Sequence, residues 1–160
     1  MESLKTRQVS VFVSNRVGRL ASVARVLRDE RISIRAMSMA DAPDFGIFRI
    51  VVKEVDRAAK ALKASGFVVD VHDVIAVEIP DRPGGLADVL DQLSSSSLNV
   101  EYMYAFLTQA FPDDRGRALV FFRFDDPDEA LAVLVAAGVR VVGGAELWSA
   151  ASLPAEEPDK

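Results

Sequence analysis

Few side chains in this 160-residue sequence have the chemistry that catalysis or metal binding needs. His72 is the only histidine and there is no cysteine, which excludes disulfides, thiolate metal sites and cysteine nucleophiles. One histidine at the end of a strand near Asp73, in the link between the two copies, is typical of a surface or linker position. The run Ser94–Ser97 follows a helical segment with no base nearby, so it is interpreted as a loop. We therefore expect no catalytic residue, no metal site and no cofactor.

Two turns between a strand and a helix have residue types that suit a zwitterionic ligand. They are Asn15-Arg16-Val17-Gly18-Arg19-Leu20 and Asp81-Arg82-Pro83-Gly84-Gly85-Leu86. The start of a helix presents unpaired N–H groups and a partial positive charge, so it can hold a carboxylate. Gly18 and Gly84 would let a ligand approach the backbone closely. Asn15 or Asp81 would then meet an ammonium or amide group.

The same turns also have a purely structural interpretation, which turn chemistry alone favours. Asn15 and Asp81 are then ordinary turn or N-cap residues, and the glycines serve packing alone. Recurrence of the pattern does not decide between the two interpretations, because a duplication would copy a structural turn as well.

The elements that position these turns occur twice in the chain. Val9, Val11 and Val13 alternate as in a strand, and the residues after the turn have helical spacing. Adding 66 to each number gives the second copy. The pairs at this offset are Arg16 and Arg82, Gly18 and Gly84, Leu20 and Leu86, Val23 and Val89, Leu27 and Leu93, and Met37 and Met103.

The later elements match at an offset of 72, so the second copy has a net insertion of six residues, near 109–117. The pairs at this offset are Phe48 and Val120, Ile50 and Phe122, Val52 and Phe124, Leu62 and Leu134, and Gly66 and Gly138. Asp126 followed by Pro127 predicts a helix N-cap. Gly66 and Gly138 lie where a helix needs a left-handed C-terminal cap.

Each copy reads strand, helix, strand, strand, helix, strand. This order predicts an α+β protein with two ferredoxin-like βαββαβ domains in tandem, whose antiparallel sheets carry helices on one face. The last strands are predicted at 67–71 and 139–142. We expect domains at 7–72 and 73–148 and a disordered tail at 149–160.

The predicted sheet face away from the helices contains two aromatic residues, one in each copy. This face would hold Phe12, Arg49 and Val51 in the first copy, and Glu78, Phe121 and Arg123 in the second. Residues 1–70 carry 13 Lys and Arg against 8 Asp and Glu, a balance of +5, whereas the remainder carries 6 against 16, a balance of −10. Both features predict contact between the domains, within a chain or across a dimer. The alternative for the charges is a solvated surface that has drifted.

The composition, 50% hydrophobic and 27% charged, is that of a globular protein. The sequence has neither a signal-peptide pattern at its start nor an uninterrupted apolar stretch of membrane-spanning length, so we expect a cytoplasmic protein with no membrane partner. The acidic second half argues against nucleic acid. RNA-recognition domains share this topology but need exposed aromatics on a basic sheet, which is not the pattern here.

The sequence resembles the ACT domain family of small-molecule regulatory modules over roughly 7–146. The family motif is an apolar strand, Asp/Asn-Arg-Pro-Gly-x-Leu, a helix, and an apolar–Asn–apolar strand opening. The second copy matches it with Asp81–Leu86 and Leu98-Asn99-Val100. The first copy departs from it at Val17 and at Ile32-Ser33-Ile34. The whole resembles stand-alone tandem ACT proteins without a catalytic domain.

The resemblance implies that ACT domains pair through their sheets and bind an amino acid at the seam. One site would join Asn15–Leu20 to Glu101–Tyr104, and the other would join Asp81–Leu86 to Arg35–Met39. Outside the turns, the expected effector-binding residues are Met37, Ser38, Met39, Tyr102, Met103 and Tyr104.

The second turn is the preferred site, because Pro83 restricts the free turn and a carboxylate is a stronger partner for ammonium than an amide. If Asp81 instead repels the ligand carboxylate, Asn15 flanked by Arg16 and Arg19 is the better site.

The sequence thus predicts a regulatory protein that binds a small molecule, an amino acid, and has no catalytic activity. The alternative is a regulatory subunit with degenerate ligand sites that acts by contact with a metabolic enzyme. The expected partners are an amino acid effector, a metabolic enzyme, and a second ACT domain in the same chain or in a homodimer.

Overall fold

The computed structural model describes residues 3–41, 43–94, 96–107 and 117–149. The chain divides into two compact units. The first unit is Arg7–Val74, and the second unit consists of the residues from Ile75 onward together with those before Arg7. Among the helices in the described ranges, none has the length and apolar character needed to cross a membrane.

The first unit has its strands in the order β2-β3-β1-β4. Its elements are β1 (Lys5–Ser14), α1 (Arg19–Asp29), β2 (Ile34–Asp41), β3 (Phe45–Val52), α2 (Val55–Ala64) and the first half of β4 (Val68–Pro80). β3 pairs antiparallel with both β1 and β2, with Phe48 opposite Val11 on one side and Met39 on the other. β2 is therefore the edge strand of this unit.

The second unit has its strands in the order β4-β6-β5. Its elements are the second half of β4, α3 (Gly85–Leu93), β5 (Val100–Leu107), β6 (Arg117–Phe124), α4 (Pro127–Ala136) and α5 (Gly144–Ser149). Opposite Val120 of β6 lie Val77 of β4 and Ala105 of β5. The predicted tandem α+β fold of ferredoxin-like βαββαβ domains is confirmed.

Each unit buries one sheet face and the apolar stripes of its helices in a separate core. The first core is formed by Val9, Val11, Val13, Val23, Leu27, Ile32, Phe48, Ile50, Val52, Val55, Ala58, Ala59, Leu62, Phe67 and Val69. The second is formed by Ile75, Val77, Ile79, Val89, Leu93, Ala118, Val120, Phe122, Phe124, Ala130 and Leu134. Each large side chain among them stabilises the fold by about 1.5–3 kcal/mol.

The predicted helix ends have the geometry expected of them. Asp126 accepts hydrogen bonds from the backbone N–H groups of Asp128 and Glu129 at 3.0 and 2.9 Å, and Pro127 is the first residue of α4. Gly66 and Gly138 have φ angles of 84° and 71°, in the left-handed region that favours glycine.

Three predictions about strands and chain ends need correction. His72 does not lie in a link, because β4 runs without a break through 68–80 and contains no glycine, and its one proline, Pro80, is its last residue. The predicted last strand at 139–142 is reduced to a single bridge between Val77 and Val141. α5 was not predicted, so Ser149 lies in a helix and not in a tail. The rest of the predicted tail, 150–160, and the predicted insertion, apart from Arg117, lie outside the described residues.

The sheet face away from the helices holds a buried carboxylate in the second unit. Glu78 is 8% exposed and accepts hydrogen bonds from Arg117 and, at 3.0 Å, from Nε of Arg140. The hydrogen bond to Glu78 raises the pKa of Arg140, and Glu146 of α5 raises it further. These pairs hold the last bridge and α5 against β4. The predicted face away from the helices also holds a buried residue in each unit, Val51 in the first and Phe121 in the second.

The cap of α4 gives a prediction about stability. Replacing Asp126 with Ala should lower the free energy of unfolding by roughly 1 kcal/mol, because two N–H groups lose their acceptor. Asp126→Ser should retain most of the stability, because serine caps helices about as well as aspartate. Chemical denaturation of the three proteins measures the differences. Equal losses in both variants would show that capping is not the reason.

Candidate functional site

The two strand-to-helix turns have the same backbone conformation. Gly18 precedes α1 with φ 84° and ψ −12°, and Gly84 precedes α3 with φ 86° and ψ −12°. These φ angles explain the glycines without any ligand, since other residues rarely adopt them. A glycine N-cap has no side chain to accept from the first-turn N–H groups, so those groups stay available to another acceptor.

The second turn leaves no room for a side chain at its last glycine. A Cβ on Gly85 would lie 2.1 Å from the carbonyl oxygen of Pro80, which is a backbone atom. The same oxygen accepts from the N–H of Arg82 at 3.0 Å, and the N–H of Gly85 donates to the oxygen of Arg82 at 3.0 Å. Gly85 N–H is therefore used inside the turn. The N–H groups of Leu86 and Ala87 lie in the first helical turn and have no acceptor within the helix.

A cavity of about 410 Å³ opens beside this turn, inside the second unit. It is lined by Ile79, Pro80, Asp81, Arg82, Leu86, Met103, Tyr104, Ala105, Ala118 and Val120. The charged residues of this lining, Asp81 and Arg82, are neighbours on the turn, whereas the strand residues are apolar except for Tyr104. The cavity therefore has a polar end at the start of α3 and an apolar end along β5 and β6.

Arg82 is held in place by its own turn and helix. One guanidinium nitrogen donates to the oxygen of Pro83 at 3.0 Å, and the other lies 2.5 Å from Oδ2 of Asp88. Both side chains of this ion pair are more than half exposed, at 56% and 57%. Asp88 lies in the first turn of α3, where a negative charge is favourable. An incoming anion would therefore compete with Asp88 for Arg82 and for the helix start.

The first turn differs in its charges. The first turn of α1 contains no acidic residue, and the hydroxyl of Ser22 donates to the oxygen of Gly18 at 2.9 Å. The Arg19 guanidinium lies 4.6 Å from the centre of the Phe67 ring, a cation–π contact. Val17 is fully exposed and Leu20 is 44% exposed. The helix start of the first unit is thus more positive than that of the second.

The structure brings together several of the predicted site residues of the second copy. Asp81, Arg82, Leu86, Met103 and Tyr104 line one cavity. Pro83, Gly84 and Gly85 shape its turn. The Tyr104 ring stacks on Phe121, with centroids 5.3 Å apart, on the sheet face opposite Met103. Tyr102 alternates with Met103 in the same way and is not among the lining residues.

The predicted residues of the first copy lie on the corresponding elements. The segment Asn15–Gly18 forms the turn after β1, and Arg19 and Leu20 begin α1. Met37, Ser38 and Met39 lie on the edge strand β2, where Met37 is 62% exposed and Met39 is 48% exposed. The predicted joining of each turn to the second strand of the other copy stays a prediction.

Sequence reasoning missed half of the cavity lining. The missed residues are Ile79, Pro80, Ala105, Ala118 and Val120. Ile79 and Val120 were recognised as sheet residues, but their place beside the turn follows from the pairing of β4, β5 and β6. No group of three or more His, Cys, Asp or Glu within the described parts of the chain could hold a metal ion.

Comparisons with known proteins agree with this architecture. A family model described as an ACT domain pair matches residues 4–150. Protein BT0572 from Bacteroides thetaiotaomicron is 36% identical, with a TM-score of 0.82 over 91% of this chain and 96% of that one. No curated protein sequence matches significantly.

Two structures of regulatory subunits of aspartate kinase have the same fold at low identity. The subunit from Thermus thermophilus is 16% identical, with a TM-score of 0.59 over 86% of this chain and 95% of that one. The subunit from Thermus flavus is 18% identical, with a TM-score of 0.61 over 86% of this chain and 94% of that one.

The turn geometry predicts that Gly85→Ala destabilises the protein by about 1–3 kcal/mol, because the new methyl group meets a backbone oxygen that cannot move aside freely. Gly144→Ala is the matched control, since a Cβ there would meet nothing within 4 Å. Denaturant unfolding of both variants tests the prediction. A Gly85→Ala protein as stable as the control would contradict the described turn.

Proposed function

This chain belongs to the ACT domain pair family, and we propose that it is a regulatory module that binds an amino acid effector and has no catalytic activity of its own. The effector site is the cavity beside the second turn, between α3, β4, β5 and β6. The site serves to sense the concentration of the ligand and not to transform it. The module works in the cytoplasm.

The cavity at the second turn carries this proposal. Its volume of about 410 Å³ falls in the lower part of the range of roughly 300–1,000 Å³ that small-molecule sites occupy. It combines an apolar wall with charged groups of both signs at one end. That combination suits a molecule whose ammonium and carboxylate share one carbon atom.

The charged groups of the ligand would meet the start of α3. Its carboxylate accepts from the free N–H groups of the first helical turn and lies within the field of Arg82. Its ammonium group faces the carboxylate of Asp81. The Arg82–Asp88 pair is mostly exposed, so opening it costs little.

A regulatory module acts on a partner protein, which is often an enzyme. Two proteins of similar fold are described as regulatory subunits of aspartate kinase. We propose a metabolic enzyme as the partner of this chain too, with a homodimer as an additional assembly. Pull-down with the purified chain, with and without the amino acid identified below, tests whether such a partner binds in a ligand-dependent way.

A thermal-shift screen of the twenty amino acids tests effector binding. At least one should raise the melting temperature, because a ligand at 100 times its Kd stabilises the native state by about 2.7 kcal/mol. Calorimetry then gives the Kd of the stabilising amino acid. If none of the twenty binds, the proposed effector class is wrong.

The polar end of the site is tested by Asp81→Asn. It should weaken binding of that amino acid roughly ten-fold or more, because hydrogen bonds to charged groups contribute about 1.5–3 kcal/mol. Asn15→Ala, at the equivalent position of the first turn, is the matched control and should leave the Kd unchanged. The reverse pattern would place the effector at the first turn.

A further inference from the structure

The internal repeat allows the walls of the second-turn cavity to be compared, position by position, with the first unit. Ala105 corresponds to Met39 at the offset of 66, because both lie on the edge strand of their unit. Ala118 and Val120 correspond to Gly46 and Phe48 at the offset of 72. The pairing agrees, since Met39 lies opposite Phe48 and Ala105 lies opposite Val120.

Met39 covers this place in the first unit. Its Cε lies so close to Gly46 that a Cβ there would be 2.3 Å from it. A long side chain from β2 therefore rests directly on the backbone of β3, beside Phe48. In the second unit the short side chain of Ala105 leaves the same place open, and the smaller Val120 replaces the aromatic ring. The cavity lies where the second copy has the smaller side chains of Ala105 and Val120 in place of Met39 and Phe48.

The apolar end of the cavity limits what chemistry can enter it. Ile79, Ala118 and Val120 are 7%, 5% and 4% exposed, so this wall is buried hydrocarbon. A charged side chain placed against it would lose its water without gaining a partner, which is strongly unfavourable. An apolar side chain would instead gain free energy by leaving water.

We infer that the second unit is the one that holds the effector, that the effector is an α-amino acid with an apolar side chain, and that Met39 closes the equivalent place in the first unit. The inference rests on the proposed function, because it specifies the ligand of the same site. Ala105 is the position that determines whether a unit can bind. One chain therefore binds one ligand.

Calorimetry with single amino acids tests the ligand class. The probes are L-leucine, L-isoleucine, L-valine and L-methionine, compared with L-aspartate and L-lysine, and D-leucine controls for stereochemistry. We expect at least one apolar probe to bind at least ten-fold more tightly than L-aspartate and L-lysine, with one ligand per chain. Tighter binding of a charged amino acid, or two ligands per chain, would overturn the inference and leave the proposed function intact. Absence of binding by any amino acid would overturn both.

Side-chain exchange between the units tests the role of Ala105. The double variant Ala105→Met with Ala118→Gly gives the second unit the methionine and the glycine of the first, and should weaken binding of the best apolar probe at least ten-fold. Ala118→Gly alone measures the effect of that substitution, and the additional loss of affinity in the double variant is the effect of Ala105→Met. Ala105 is exposed, so Ala105→Leu gives a second filling variant that leaves the core of β6 unchanged.

Circular dichroism and thermal unfolding confirm that each variant is folded. Unchanged affinity in the folded filling variants would show that Ala105 does not define the site.

Discussion

The contact between Gly85 and the carbonyl oxygen of Pro80 determines where the second strand-to-helix turn closes. Because Gly85 has no side chain, the helix can begin directly over the end of β4, where a Cβ would collide with the carbonyl oxygen of Pro80. The left-handed conformation of Gly84 reverses the chain just before that point. The free N–H groups of the helix start and the end of the sheet thus share one small volume. The cavity and its polar end depend on this arrangement.

The two units use the same turn but surround it with different side chains. In the first, Arg16 and Arg19 leave the helix start positive, and Met39 of β2 lies against Gly46 of β3. In the second, Asp88 neutralises Arg82, and Ala105 leaves room. Charge alone would favour binding of a carboxylate at the first turn, whereas the room left by Ala105 favours binding of a ligand at the second turn. The difference in side-chain volume is the stronger constraint. An ion pair at the surface opens at little cost, whereas the Met39 side chain must leave its place beside Gly46 before a ligand can enter there.

Local patterns were enough to predict the repeat, the order of elements and the two turns. Alternation and helical spacing show which face of each element is buried, and Asp126, Gly66 and Gly138 mark helix ends by their own chemistry. The continuity of β4 was missed because a strand that passes from one repeat to the next carries no signal where it does not stop. α5 was missed because six residues are too few to show a period.

The candidate site likewise contains residues that could be predicted from the sequence and residues that could not. Asp81, Arg82 and Leu86 belong to a local motif and could be predicted from it. Ala105 and Ala118 could not, because their importance lies in missing volume opposite a neighbouring strand, and neither register nor volume is written in a short segment. The strand pairing of the structure gives the register, and comparison of Ala105 and Ala118 with Met39 and Gly46 gives the difference in side-chain volume.

Binding of an amino acid at the start of α3 is tested most directly by an amide NMR titration of the intact chain with the amino acid that binds most tightly. The largest shifts should fall on the amides of 84–87 and of Ala105, and they should saturate at one ligand per chain. Shifts of equal size on the amides of 18–21, or shifts confined to other parts of the chain, would contradict it.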